Sequence, residues 1–377
     1  MLNVILLGIT SLLTDASTEM VYPLIPLYLS ARLGASPAII GLIEGIAESL
    51  ASLLKVFSGN LSDRIRRRRP LAIFGYSFSS IGKLILYLAN AWGGVLIARV
   101  VDRFGKGVRT APRDALIADS TPSNKLGMAY GLHRAMDTIG AAIGVTLAII
   151  LMRMSQSNYP KVFLFALIPA LLGVFFLFFT KERLMPNKVD KKQPLLNWRV
   201  LPRRLKFFLL IIFLFALGNS SNQFLLLRAK DLGFSIFSVL LVYLFYNLMF
   251  GIFAFPIGKF SDRIGRKKVL IIGYLVYGLA YLGFAVAFKP EMVWLLFGIY
   301  GLYSAFTQGV EKALVAEIAP ETIRGTMIGL HATVVGIGLF PASLLAGLLW
   351  NIWGASAPFY FGGVLGFISA LGLALVL

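Results

Sequence analysis

Runs of about twenty apolar residues recur along the whole chain, as in "PLAIFGYSFSSIGKLILYLA" from Pro70 and "VLIIGYLVYGLAYLGFAVAF" from Val269. Each is about the length a helix needs to cross the ~30 Å hydrocarbon core of a bilayer. A soluble domain needs a polar exterior. With 58% apolar and 14% charged residues over 377 positions, this chain has too little polar surface to make one. Twelve such segments can be marked off, which predicts an all-α integral membrane protein with twelve transmembrane helices. The first segment, from Leu2 to Leu29, has no basic leader and no small-residue cleavage site, so it reads as a retained helix. The last ends on apolar residues without a basic flank, and the natural chain is expected to continue past Leu377.

The formal net charge is +19. It is spread over connecting loops, which is the pattern produced by cytoplasmic retention of Lys and Arg rather than by a nucleic-acid surface. No nucleic-acid partner is expected. "RIRRRRP" from Arg64, "DRIGRKK" from Asp262 and the stretch from Lys181 to Lys206 are basic, whereas "NAWGG" from Asn90 and "NIWGAS" from Asn351 carry no basic residue. The basic loops are assigned to the cytoplasm, and an even number of crossings then puts both termini there, in a multi-pass protein of the inner or plasma membrane. Cysteine is absent and only two histidines are present, so neither disulfides nor a thiolate or zinc centre is expected.

Near the midpoint "KERLMPNKVDKKQPLLNWRVLPRRLK", residues 181–206, breaks the apolar pattern with charge and proline and reads as a cytoplasmic basic linker. It separates a bundle of six helices over residues 1–180 from a second over 207–377. The halves repeat one another. "GNLSDRIRRRR" from Gly59 matches "GKFSDRIGRKK" from Gly258 at an offset of 199, and "ALIADSTPSNKLGMAYGLH" from Ala115 matches "ALVAEIAPETIRGTMIGLH" from Ala313 at 198. Parallel six-helix halves of this kind are a transporter architecture, with the solute bound near the midplane between them.

These residues carry a family resemblance. Gly59, Asp63, Arg64, Arg67 and Arg68, and again Gly258, Asp262, Arg263, Gly265, Arg266 and Lys267, resemble the G-x-x-x-D-R-x-G-R-[RK] loop of the major facilitator superfamily (MFS). Arg99 looks like the arginine that the superfamily places in its fourth helix. "RTAPRDALIAD" from Arg109 and "DASTEMVYPLIP" from Asp15 also look like a widespread branch of prokaryotic permeases. The resemblance implies two pseudo-symmetric six-helix bundles and secondary transport. Two departures stand out. Arg66 occupies the glycine position of the first loop, which implies a less tight turn there, and Ala141 replaces the proline of the motif associated with antiporters.

The fourth segment, unlike its neighbours, is crowded with charge. On a helix, Arg99, Asp102, Arg103, Lys106, Arg109, Arg113 and Asp114 fall within an arc of roughly 140°. A charge at the bilayer centre costs about 2.5 to 3.5 kcal/mol, so this face is expected against a watery cavity or partner helices. From Arg109 onward, a position among lipid headgroups is the alternative. Counter-charges lie at Asp15 and Glu19 and at Glu44 and Glu48, each pair one helical turn apart. Asp137, Arg134 and His133 add a polar turn opposite Gly140 and Gly144, which are expected to allow close helix packing. The second half is poorer in charge, offering Asn219, Asn222 and Gln223 in "GNSSNQ", then Asn247, then the pair Glu311 and Lys312.

This asymmetry suggests an ion relay at Asp15, Glu19, Glu44, Glu48 and Asp137, because neighbouring carboxylates in a low-dielectric wall readily share a proton. The solute cavity is assigned to Arg99, Asp102, Arg103, Lys106, His133, Arg134, Asn219, Asn222, Gln223 and Asn247. A cytoplasmic latch is assigned to Asp63, Arg64, Arg67, Asp119, Asp262, Arg263, Arg266 and Glu317. In it the loop aspartates cap neighbouring helices, while Arg67 pairs with Asp119 and Arg266 with Glu317. His133 and His331, at equivalent places and with no second ligand one turn on, are read as packing or gating residues. Pro23, Pro26, Pro112 and Pro256 are expected to mark bends.

Secondary active transport by alternating access follows, most simply proton-coupled export of a small organic solute or drug-like amphipath, by a monomer in contact with membrane lipids and without cofactor. Uptake of an anionic metabolite on the basic fourth helix is one alternative, and it loses its basis if Asp15, Glu19, Glu44 and Asp102 neutralise Arg99, Arg103 and Lys106. Lipid or amphipath translocation without protons is another. No H-E-x-x-H, G-x-S-x-G or Walker loop points to an enzyme.

Overall fold

The computed structural model describes residues 2–65, 67–122, 126–182, 203–318 and 324–376. The helices are α1 (Leu2–Val21), α2 (Ile25–Ala31), α3 (Pro37–Ile65), α4 (Arg68–Leu88), α5 (Trp92–Asp119), α6 (Leu126–Met154), α7 (Tyr159–Phe165), α8 (Leu167–Leu177), α9 (Arg203–Gly218), α10 (Gln223–Asp231), α11 (Ile236–Ile264), α12 (Arg266–Val286), α13 (Pro290–Ile318), α14 (Arg324–Trp353) and α15 (Ala357–Val376). Among the described residues there is no strand. α1 with α2, α7 with α8, and α9 with α10 each form one interrupted rod, which gives twelve rods among the described residues.

Ten of the rods are long and apolar enough to span a bilayer on length and composition; α3 and α5 complete the twelve, α5 carrying the charged face. The exterior is apolar, with Phe57, Ile97, Phe255 and Leu295 exposed, while Arg99, Asp102, Arg103 and Arg109 are buried. A soluble protein would have these reversed. This is the arrangement of a chain whose solvent is lipid.

The breaks fall where the sequence supplies them. Pro23 lies in a 3-10 turn, Tyr22–Leu24, that divides α1 from α2, and Pro26 sits in the first turn of α2. Pro112 and Pro256 lie inside α5 and α11, each of which continues through its proline, as does α14 through Pro341.

The chain forms two compact units, Met1–Ala35 with Ile46–Lys188, and Ser36–Gly45 with Val189–Leu377. Most of the basic linker lies outside the described residues. Its last four residues, Arg203 to Lys206, are already the first turn of α9.

In the first unit α4 pairs with α5, α1 with α6, and α1 with α8. Val4, Leu7, Tyr76, Leu116, Ile117, Ala129 and Leu177 meet in one apolar cluster. The α1–α6 crossing depends on Gly140 and Gly144, where an added Cβ would collide with the carbonyl oxygens of Leu12 and Ala16. In the second unit α13 packs against α11 and α12, α12 against α15, and α9 against α14 and α15.

Candidate functional site

The α4–α5 crossing is close because small residues line it. A Cβ at Gly82 would stand 2.7 Å from Asp102 N, and one at Gly75 would stand 2.6 Å from Gly105 O. That approach brings Lys83, which sequence reasoning passed over, to Asp102 at 3.5 Å. Asp102 also faces Arg99 at 3.6 Å and Arg103 at 3.8 Å. From α3, Glu48 reaches the same guanidinium groups, 3.0 Å from Arg103 and 3.6 Å from Arg99. Three buried cations thus share two carboxylates. Beside them a cavity of about 20 Å³, lined by Thr18, Tyr22, Lys83, Arg99 and Asp102, has room for one water.

Further along the same face Arg109 is 5% exposed, with its guanidinium 4.2 Å from the Tyr76 ring centroid. It lies inside the unit, which decides against the headgroup alternative at this residue. Arg113 binds Asp114 at 2.7 Å and Ser11 at 3.2 Å.

Asp15 is half-buried on α1, and the charges acting most on it are Asp137, Arg109, Lys106 and Arg113. Glu19 lies one turn on, also half-buried. Lys106 is acted on by Arg103, Glu48 and Asp15. Glu44 is fully buried, in the stretch of α3 that groups with the second unit. On α6, His133 Nδ1 stands 3.5 Å from Asp137 Oδ2. The absence of a ligand one turn from His133 is therefore corrected, since Asp137 is that neighbour. Arg134 is exposed. Among the described residues no group of three His, Asp or Glu side chains could hold a metal ion.

The second unit puts rings where the first has charges. Tyr246, Tyr277, Tyr281, Tyr300 and Tyr303 are buried together, with the Tyr277 ring centroid 4.2 Å from Tyr281 and 4.8 Å from Tyr303. Asn219 donates to Tyr303 at 3.0 Å, and Tyr300 donates to Asn222 at 2.7 Å. Gln223 is fully buried, and neither of its side-chain amide atoms has a partner among the described residues. A buried amide left unsatisfied costs about 1 to 3 kcal/mol, so this one is suited to a ligand or a water. Asn247 donates back to the Tyr243 carbonyl oxygen, one turn earlier on its own helix, at 3.0 Å.

The ion pairs of the two loop motifs correct the register read from sequence. Arg68, not Arg67, binds Asp119, and it also donates to Ala115 O at 3.0 Å. Arg266 binds Glu317 at 3.0 Å and donates to Ala313 O at 3.3 Å. Both ion pairs span 51 residues. Residues 66 and 67 separate α3 from α4, whereas Gly265 alone, at φ 97°, separates α11 from α12. The pairing arginine opens the second helix in both copies, α4 at Arg68 and α12 at Arg266, so it stands one residue later in the first copy. Arg67 is the extended residue before α4. Asp262 accepts from Arg266 at 3.2 Å. Arg263 is exposed in the last turn of α11. The side chains of Asp63 and Arg64 lie outside the described ones.

From Arg68 and Arg266 onward the repeat runs at 198. Lys83 corresponds to Tyr281, Asp102 to Tyr300, Lys106 to Ser304 and Arg109 to Thr307. The signals sequence reading missed were a single lysine inside an apolar run and the spacing of Tyr274, Tyr277 and Tyr281, which puts three hydroxyl-bearing rings on one side of a helix.

Residues 7–246 and 208–377 match the sequence profile of the Major Facilitator Superfamily. The chain is 41% identical over 382 residues to the uncharacterized MFS-type transporter MJ1317 of Methanocaldococcus jannaschii, covering 99% of this chain and 94% of that one. It is 27% identical over 376 residues to the multidrug resistance protein MdtG of Proteus mirabilis, covering 95% and 92%. The crystal structure of the nucleoside transporter NupG is similar with a TM-score of 0.78 at 15% identity, covering 100% of this chain and 99% of that one. At that identity the likeness is one of fold.

Proposed function

Because the chain belongs to the Major Facilitator Superfamily and is a multi-pass membrane transporter, we propose that it is a proton-coupled antiporter that exports a small organic solute or drug-like amphipath by alternating access. One observation carries this reading. At equivalent places of the repeat the first unit holds the buried charges Lys83 and Asp102 and the second holds the buried rings Tyr281 and Tyr300, which supports a separation of ion handling from solute handling along the chain.

The Asp15 and Asp137 carboxylates, with Glu19 and Glu48, form the relay within the first unit; the tyrosine, Asn219, Asn222 and Gln223 groups take the solute. Aromatic faces and neutral hydrogen-bonding groups suit flat, weakly polar or cationic molecules. The name of the relative MdtG, a multidrug resistance protein, agrees with such a solute. Anion uptake is disfavoured because Arg99 and Arg103, the cations best suited to a carboxylate or phosphate, are already engaged with Glu48 and Asp102. The Arg68–Asp119 and Arg266–Glu317 pairs act as latches at the cytoplasmic ends, both termini lie on that side, and a monomer suffices.

The test is proton flux in proteoliposomes that enclose a pH-sensitive dye, challenged with pools of cationic amphipaths and of small organic anions, for the wild type and Asp15→Asn. Flux triggered by the amphipath pool and lost in Asp15→Asn supports the reading. Flux triggered by the anions alone would replace export with uptake, and labelled lipid or solute crossing without protons would remove the coupling.

A further inference from the structure

The second unit is not wholly neutral. Glu311 on α13 is partly buried, with 15% of its side chain exposed, and His331 on α14 is 5% exposed overall. Their side chains approach to 3.4 Å between His331 Nε2 and Glu311 Oε2. Tyr274 on α12 donates to the other carboxylate oxygen, Oε1, at 2.9 Å. The Tyr274 ring is held in turn by Phe215, stacked at 3.8 Å between centroids and 2° between planes. Three helices therefore converge on one carboxylate.

The partners of Glu311 are an imidazole and a phenol. Among the described residues no Lys or Arg nitrogen lies within 4 Å of it, unlike Glu48 in the first unit. The Glu311 charge also acts on Tyr303 of its own helix, and Lys312, next in sequence, is exposed. The other charged residues with described side chains on these helices lie near helix ends, at Glu291 and Glu317 on α13, Lys259, Asp262 and Arg263 on α11, Arg266, Lys267 and Lys268 on α12, and Arg203, Arg204 and Lys206 on α9. His331 Nε2 is buried and makes no hydrogen bond in this arrangement. An imidazole nitrogen left without a bond beside a carboxylate is the place where one added proton makes an ion pair and satisfies both groups.

The internal repeat shows what this corner replaces. At the offset of 198, Tyr274 corresponds to Tyr76, His331 to His133 and Glu311 to Arg113. The first unit thus has a permanent guanidinium where the second has a carboxylate. There His133 pairs with Asp137 on its own helix, whereas His331 takes its carboxylate from a neighbouring one. Protonating the histidine puts a positive charge on this corner of the second unit.

We propose that Glu311, His331 and Tyr274 form a second proton-binding site, in the half of the molecule that handles the solute. The site holds one proton between His331 Nε2 and Glu311 Oε2, and Tyr274 stabilises the carboxylate through its hydroxyl. Its use in transport rests on the proposed proton coupling, but its occupancy does not depend on transport.

Nitrogen-15 NMR of histidine-labelled protein in detergent reads occupancy directly, because the chain has only two histidines and His133→Asn assigns them. His331 is expected to gain a proton as pH falls. In Glu311→Gln it is expected to bind that proton at least about tenfold more weakly, since a close opposite charge has been removed. Tyr274→Phe keeps the ring stack and removes only the donor, leaving a more basic carboxylate, so His331 is expected to hold its proton more tightly. An unchanged His133 signal in the same spectra reports an intact fold. A His331 ring that stays neutral throughout, or one whose protonation is indifferent to both substitutions, would overturn the proposal. A silent Asp15→Asn flux assay would instead count against the first-unit relay and leave this site standing.

Discussion

Lys83 Nζ lies 3.5 Å from Asp102 Oδ1 where α4 crosses α5, and 198 positions on the same two places are Tyr281 and Tyr300, with ring centroids 6.0 Å apart. Both crossings are built on glycine. A Cβ at Gly75 would stand 2.7 Å from Arg109 Cβ, and one at its counterpart Gly273 would stand 2.7 Å from Thr307 Cγ2. The backbone solution is shared and the chemistry is exchanged. That exchange is the basis for assigning ions to one unit and solute to the other.

The buried ionic cluster gives a stability test. Asp102→Asn leaves Lys83 buried without its counter-charge, and breaking a buried pair in this way costs about 3 to 5 kcal/mol. Adding Lys83→Met removes the orphaned charge and is expected to recover part of the loss. Unfolding midpoints in detergent check this; equal midpoints for the single and double variants would show that Lys83 does not depend on Asp102.

The slipped register separates two adjacent arginines. Arg68→Ala removes the bonds to Asp119 and Ala115, whereas Arg67→Ala removes neither. A partly exposed pair of this kind is worth up to about 1 kcal/mol, or about fivefold in a conformational equilibrium. Initial transport rates are expected to change by that order in Arg68→Ala and by less than about twofold in Arg67→Ala. The reverse ranking would restore the register read from the loop motif.

At the α1–α6 crossing, Gly144→Val must push apart two helices whose backbones touch. Overpacking of this kind costs about 1 to 3 kcal/mol. A lower unfolding midpoint in detergent is expected, with Gly131→Val, at a glycine with open space around it, as the near-neutral control.

The membrane character, the twelve rods and the two-fold repeat were all legible in the sequence. Each is written in apolar run length or in self-similarity, which tertiary contacts do not alter. The one-sided α5 was legible too, because helical periodicity places Arg99, Asp102 and Arg103 together. Partner choice was not. Arg67 and Arg68 are indistinguishable in a run of four arginines, and only the extra residue between α3 and α4 decides which one reaches Asp119. Lys83 gave too little signal because one lysine barely lowers the hydropathy of its segment. Tyr274 and its neighbours were hidden for the opposite reason, since tyrosines in an apolar run read as ordinary packing until their hydroxyls find Glu311, Asn222 and Gly218.

The most direct test of the division between units compares two variants in one assay, solute exchange against proton-driven solute movement in proteoliposomes. Asp15→Asn is expected to keep solute exchange and lose the proton-driven component, while Asn222→Ala, which removes the partner of Tyr300, is expected to raise KM for solute in both modes and leave coupling intact. If Asp15→Asn abolishes exchange as well, or Asn222→Ala uncouples protons from solute, ion and solute share one site and the division between the units is wrong.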